Sequence, residues 1–170
     1  MKSINYLIMA SIILIVFTAG YVIVETIIEV YTLGNRVEDS IIAAGWTGLS
    51  RVDLDRLAQR VHQDNEQERD IYLDKPAAIS LVTTYIKRNL NLDAAFYPQE
   101  DSYVLERSVP VIINEITVFN ADELPATCSR GVTLERTTIH VVVSIPIRLK
   151  WLGLRYIEKH VDVDMKSFYR

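Results

Sequence analysis

SINYLIMASIILIVFTAGYVIV, residues Ser3–Val24, is a run of twenty-two residues without a charge. At about 1.5 Å per helical residue it reaches roughly 33 Å, enough to cross the ~30 Å hydrocarbon layer of a bilayer. A helix satisfies its own backbone hydrogen bonds, so the run can sit in lipid with Ser11, Thr18 and Gly20 inside it. Lys2 and the amino terminus precede the run, Glu25 and Glu29 follow it, and the next cation is Arg36. The positive-inside bias therefore predicts a single-pass protein of the cell membrane, with a cytoplasmic N-terminus and an extracytoplasmic C-terminal part.

Two other readings compete for the same residues. A cleavable secretory signal would take Tyr6 to Phe17 as its apolar region and cut after Thr18-Ala19-Gly20; against it, the apolar character continues through Tyr21-Val22-Ile23-Val24. Prepilin-type processing between Gly20 and Tyr21 would make Glu25 the fifth residue of the mature chain. Such a cut would discard most of the anchor, so the uncut span is the expectation.

Beyond the span, Ile23, Ile27, Val30, Val37, Ile41 and Ala44 recur at three-, four- and seven-residue intervals, one stripe on a continuing helix. Gly34-Asn35 is a candidate interruption, and Gly45 and Gly48 are candidate ends. Either a partner or the chain's own domain would cover the stripe. The organisation expected is an anchor over 1–30, a helical stalk over 31–50 and an extracytoplasmic domain over 51–170. About 146 of the 170 residues follow the span, sufficient for one domain with a real core.

Ser50 with Asp53 reads as a weak capping box, opening a helix that carries Val52, Leu54, Leu57 and Val61. The acidic stretch 63–70 lacks the glycine turn and alternating ligands of a calcium loop and reads as a solvated linker. Asp74-Lys75-Pro76 caps and opens a third helix, with Ala77, Leu81, Tyr85 and Leu90 as its expected buried face.

From Tyr103 the period becomes two. Val111-Ile112-Ile113 with Ile116, Val118 and Phe119 predicts one strand, with Pro110 at its start. Every odd position from Ile139 to Leu149 is apolar, while His140, Ser144, Arg148 and Lys150 are polar, which predicts a half-buried strand. After a turn at Leu152-Gly153-Leu154 the alternation resumes with Ile157, Val161, Val163 and Met165, so the two strands pair as an antiparallel hairpin. The fold class expected is α+β: short helices packed on an antiparallel sheet of three to four strands.

Chemistry is scarce in the pattern. There is no phosphate-binding glycine loop, no Cys-x-x-Cys, no His-Glu-x-x-His and no Gly-x-Ser-x-Gly. His140 and His160 can face each other on the hairpin, but two imidazoles without a third ligand do not make a zinc site, and both are expected to face solvent. Ser144 shares a face with His140 without a fixed acid; Asp162 and Asp164 read as protection of a strand edge. Cys128 is the one cysteine, so no internal disulfide forms; it reads as a small loop residue. With Lys2 set aside, 18 basic residues become 17 against 22 acidic ones, a net −5 that argues against nucleic acid as a partner. No enzymatic activity, metal or cofactor is expected.

A short N-terminal anchor leading into a helix resembles the TadE-like minor pilins and pseudopilins of tight-adherence (Flp-type) pilus systems, the Gram-positive type in particular. The likeness extends to Asp74-Lys75-Pro76-Ala77-Ala78 with Asn89-Leu90-Asn91-Leu92, to Glu115-Ile116-Thr117-Val118-Phe119-Asn120, and to His140-Val141-Val142-Val143-Ser144-Ile145-Pro146-Ile147. Those proteins often carry a Glu at the head of the apolar segment; here Glu25 stands at its tail. The resemblance implies a component of a pilus or secretion apparatus, with other pilin or assembly subunits and membrane lipid as partners in homo- or hetero-oligomers. Glu25, Ile27, Val30, Val37 and Ile41 are the subunit contacts expected, and Gly20 and Tyr21 flank the candidate processing point. The alternative is a membrane-tethered extracytoplasmic module that captures a ligand.

Overall fold

The computed structural model describes residues 2–60, 71–104, 106–149 and 153–164. The acidic stretch 63–70, Val61, His62, Leu152 of the expected hairpin turn, and Met165 lie outside the described residues. Helix α1 spans Lys2–Leu49 without a break, 48 residues or about 70 Å at the usual helical rise. α2 covers Leu54–Arg60 and α3 Lys75–Asn89. β1 (Ile112–Phe119), β4 (Thr138–Leu149) and β5 (Gly153–Asp164) form an antiparallel sheet in the order β1-β4-β5. Between β1 and β4, β2 (Ala126–Thr127) and β3 (Thr133–Leu134) pair as a separate small ribbon. The α+β class with a long apolar N-terminal helix is as the sequence predicts.

The odd positions of β4 and the apolar residues of β5 bury one face of this sheet under α1 and α3. Ile139, Val141, Val143 and Ile145 are fully buried together with Val37, Ile41 and Ala44 of α1 and Ala78, Val82 and Ile86 of α3. The stretch expected as a stalk over 31–50 is therefore the helix on which the domain's core is built. Gly34 and Gly45 do not interrupt it, and it ends at Leu49, the residue after Gly48. Gly45 and Gly48 let the backbone approach the sheet and α3: a Cβ on Gly45 would stand 2.6 Å from Val163 Cγ2 of β5, and one on Gly48 2.5 Å from Val82 Cγ2 of α3 and 2.7 Å from Ile139 Cδ1 of β4. Gly34 makes room for the Lys159 stem, whose ammonium donates to Glu38 at 2.9 Å.

Local signals at α3 hold in detail. The Asp74 side chain accepts from the Ala77 amide at 3.1 Å, and Pro76 sits in the first turn, where its missing N–H is not needed. Leu90, at its C-cap, is fully buried as expected, but along the helix the buried face is shifted by one residue: Ala78, Val82 and Ile86 are fully buried, while Ala77, Leu81 and Tyr85 are half-buried. Two adjacent apolar stripes exist on this helix, and contact with α1 and β1 selects between them. At α2, Asp53 alone caps by accepting from Arg56 N at 3.1 Å; Ser50 instead donates to Thr47 O at the end of α1.

Three carboxylates brace the domain. Arg148 Nε donates to Glu106 at 2.5 Å and Ser108 adds two more donors, so the Glu106 carboxyl pKa is pulled from 4.5 down to about 2. Glu123 is lowered by Lys75 and by the Asn120 amide. Glu115 is lowered by the Ser129 hydroxyl and then Thr117. Because folding lowers these pKa values, their stabilisation is complete above about pH 4.5 and is lost as the pH falls, for Glu106 toward about 2. Denaturant melts are expected to weaken between pH 5 and roughly pH 3, and Glu106→Gln is expected to flatten part of that slope. An unchanged slope in the variant would remove Glu106 from the account.

Candidate functional site

Two features stand out: the bare half of α1, and a side-chain cluster beneath the β2–β3 ribbon. Along α1, Ile8, Ile12, Leu14, Phe17, Ile23 and Ile27 are all more than half exposed, a degree of apolar exposure that water does not tolerate over such a length. The helix is long and apolar enough to cross a membrane. Two of its threonine hydroxyls bond back within the helix: Thr18 donates to Leu14 O and Thr26 to Val22 O, both at 2.8 Å.

The expected contact residues divide along this helix. Glu25 and Ile27 are exposed, and Val30 is half-buried against the edge of the core. Val37 and Ile41 have no exposed surface and pack within their own domain, so they do not face another subunit. The period that marked them is equally that of a core helix, and the sheet, far away in sequence, claims it. Gly20 and Tyr21 lie inside the unbroken helix, with nothing within 4 Å of a Cβ on Gly20. At the base of the domain, a groove of about 570 Å³ bordered by Glu29, Arg36, Tyr103, Glu106 and Arg148 adjoins the exposed half of the helix.

The cluster lies on the opposite face of the sheet from α1. β4 is buried on both faces over most of its length rather than on one. It is the central strand, flanked by β1 and β5; on its outer face Ser129, from the loop between β2 and β3, meets His140, and Asn114 of β1 donates to Ser144. In the β4–β5 register His140 pairs with Asp162 and Val142 with His160, which sets both imidazoles and the carboxylate on one face. The His140 and His160 ring centroids are 4.8 Å apart, facing as the alternation suggested. Their environment differs from the expectation: His140 is fully buried rather than solvent-facing.

Cys128 and Ser129 reach this face from a tight turn in which Gly131 N donates to Cys128 O at 2.9 Å. Gly131 has φ +77°, a backbone that glycine adopts without strain. Cys128 lies in a loop as expected, but its side chain is buried, at 4 % exposure. Its Sγ, a nitrogen of His140, a nitrogen of His160 and an oxygen of Asp162 all lie within 4.8 Å of one another. Around them, Ser129 Oγ is 3.0 Å from His140 Nε2, His140 Nδ1 is 2.7 Å from Asp162 Oδ1, and His160 Nε2 is 3.0 Å from Asp162 Oδ2. The last approach lies outside hydrogen-bonding geometry, leaving a buried His160 Nε2 without a hydrogen-bond partner.

Two chemistries share this geometry. Ser129, His140 and Asp162 have the order of a nucleophile–base–acid relay. Acyl transfer also needs a substrate cleft over the hydroxyl and donors for the developing oxyanion. The adjoining cavities of about 480 and 320 Å³ meet the cluster at His160 and Asp162, and Ser129 lines neither. The Ser129 hydroxyl is moreover engaged by Glu115. The second chemistry is metal ligation by one sulfur, two imidazoles and a carboxylate, the donor types of a four-coordinate zinc site. Sequence reasoning missed this set because Cys128 lies in an irregular loop, whose path no periodicity foretells. The His140–His160 pairing was the one legible part. Comparison with protein-family models, with curated proteins and with solved structures gives no match.

Proposed function

We propose that this chain is a membrane-anchored, pilin-like subunit of a pilus or secretion apparatus, which acts through contacts with other subunits and not by catalysis. The observation that carries the reading is the division of α1: one unbroken helix is bare and apolar through its first half and forms the core of an α+β head through its second. Such a helix fixes the head rigidly relative to the anchor, as an assembly of repeating subunits requires. Lys2 before the span and Glu25 and Glu29 after it favour a cytoplasmic N-terminus and an external head. The contacts lie on the exposed part, around Glu25 and Ile27, where a charge at the membrane boundary gains from a partner.

Photo-crosslinking residues placed at Ile13, Ile27 and Val37 of the full chain in its native membrane test this. Ladders of crosslinked species are expected from positions 13 and 27, while position 37 should give only intramolecular products. A chain that stays monomeric in the membrane at all three positions would defeat the subunit reading and leave a tethered ligand-binding head. Leu14→Arg, at the middle of the span, is expected to cost about 2.5–3.5 kcal/mol of insertion and to shift the chain out of the membrane fraction. Unchanged membrane retention would show that the run is not the anchor.

A further inference from the structure

We propose that Cys128, His140, His160 and Asp162 bind one zinc-class divalent ion, which ties the β2–β3 ribbon to the outer face of the β4–β5 hairpin. The site is independent of the subunit reading above.

Convergence of donors is the first argument. His140 Nδ1 lies 2.7 Å from the Asp162 carboxylate, and Ser129 Oγ lies 3.0 Å from His140 Nε2. A proton on Nδ1 would account for His140 and Asp162 alone. It would not account for the two further donors that converge there, the buried Cys128 sulfur and the His160 Nε2 that lacks a hydrogen-bond partner. A metal ion takes up all four.

Donor type and geometry agree. A thiolate disfavours calcium and magnesium, which prefer oxygen ligands, and an S, N, N, O set suits tetrahedral zinc. Zinc bonds of about 2.0–2.3 Å place tetrahedral ligand atoms roughly 3.3–3.7 Å apart. The present separations run from 2.7 Å to no more than 4.8 Å, so side-chain movements of roughly an ångström bring the four donors onto one centre. The outer hydrogen bonds are already in place: Glu115 holds Ser129, Ser129 holds His140 Nε2, and Thr117 donates to Glu115 at 2.8 Å. A ligand imidazole whose other nitrogen is oriented through such a chain is the usual arrangement around bound zinc. Binding releases the thiol proton and any proton on Nδ1, so affinity rises with pH.

The test uses the full chain in detergent, stripped with a chelator, reduced, and titrated with Zn²⁺ or Co²⁺. One equivalent per chain is expected by native mass spectrometry, and the Co²⁺ form should show a thiolate-to-cobalt charge-transfer band. Cys128→Ser should abolish that band. His160→Asn and Asp162→Asn lie on an edge strand and leave the buried His140 in place; each is expected to weaken binding by about 10- to 100-fold or more with the head still folded by circular dichroism. Ser129→Ala should weaken binding by less and retain the band. Failure of the reduced, folded chain to bind either ion, or binding indifferent to Cys128→Ser, overturns the proposal. So does covalent labelling of Ser129 by an organophosphorus probe in the metal-free chain, which would assign the cluster to acyl transfer.

Discussion

Ile41→Asp is expected to unfold the head rather than to disturb assembly. Ile41 has no exposed surface and sits in the cluster where α1 meets α3 and the sheet. Removing a buried aliphatic side chain costs about 2–5 kcal/mol, and leaving a polar group there without partners adds about 1–3 kcal/mol. Domains of this size hold only about 5–15 kcal/mol in total. The variant should lose the cooperative denaturant transition followed at Trp46, which lies on α1 itself, while Ile41→Val should keep it with a loss of about 0.5–1.5 kcal/mol. An aspartate variant that unfolds normally but no longer crosslinks would mean that Ile41 faces a partner and that the packing described here is wrong.

Gly48→Val is expected to be the other severe change, at about 3 kcal/mol, the upper end for overpacking a tight core. Even the first added carbon would stand 2.5 Å from Val82 Cγ2 and 2.7 Å from Ile139 Cδ1, both on stiff β-branched side chains. Helix propensity works the other way, favouring alanine over glycine by about 1 kcal/mol. Gly48→Ala should therefore sit between wild type and Gly48→Val, the clash outweighing the propensity. Gly20→Ala is the control: nothing lies within 4 Å of the added carbon, and unfolding of the head should not change. Thermal or urea melts of the three variants in detergent decide the matter. A Gly48→Ala head as stable as wild type would show that α1 approaches the sheet less closely than described.

Glycine at 45 and 48 illustrates a limit on reading this chain from its residues. In isolation a glycine pair signals a helix end, because glycine's backbone freedom disfavours the helix. The structure turns the same feature into a contact device, since the cost is offset by apolar surface that only a bare backbone can approach. The stripe through Val37 and Ile41 was likewise visible as a stripe, but its partner was not, because a periodic apolar face specifies burial without specifying against what.

The amino-acid sequence alone determined the features that arise from neighbours along the chain. These are the uncharged run Ser3–Val24 that spells a membrane-length helix, the Asp74 cap with Pro76 behind it, and the period-two hairpin of β4 and β5. Each depends on contacts between residues a few positions apart, or across one turn, where backbone geometry dictates who meets whom. Tertiary structure decided which of two stripes α3 buries, that β4 is covered on both faces, and that Cys128 meets His140, His160 and Asp162. Those outcomes depend on where an irregular segment lays its side chains, and that is set by the packing of the whole head and by no local rule.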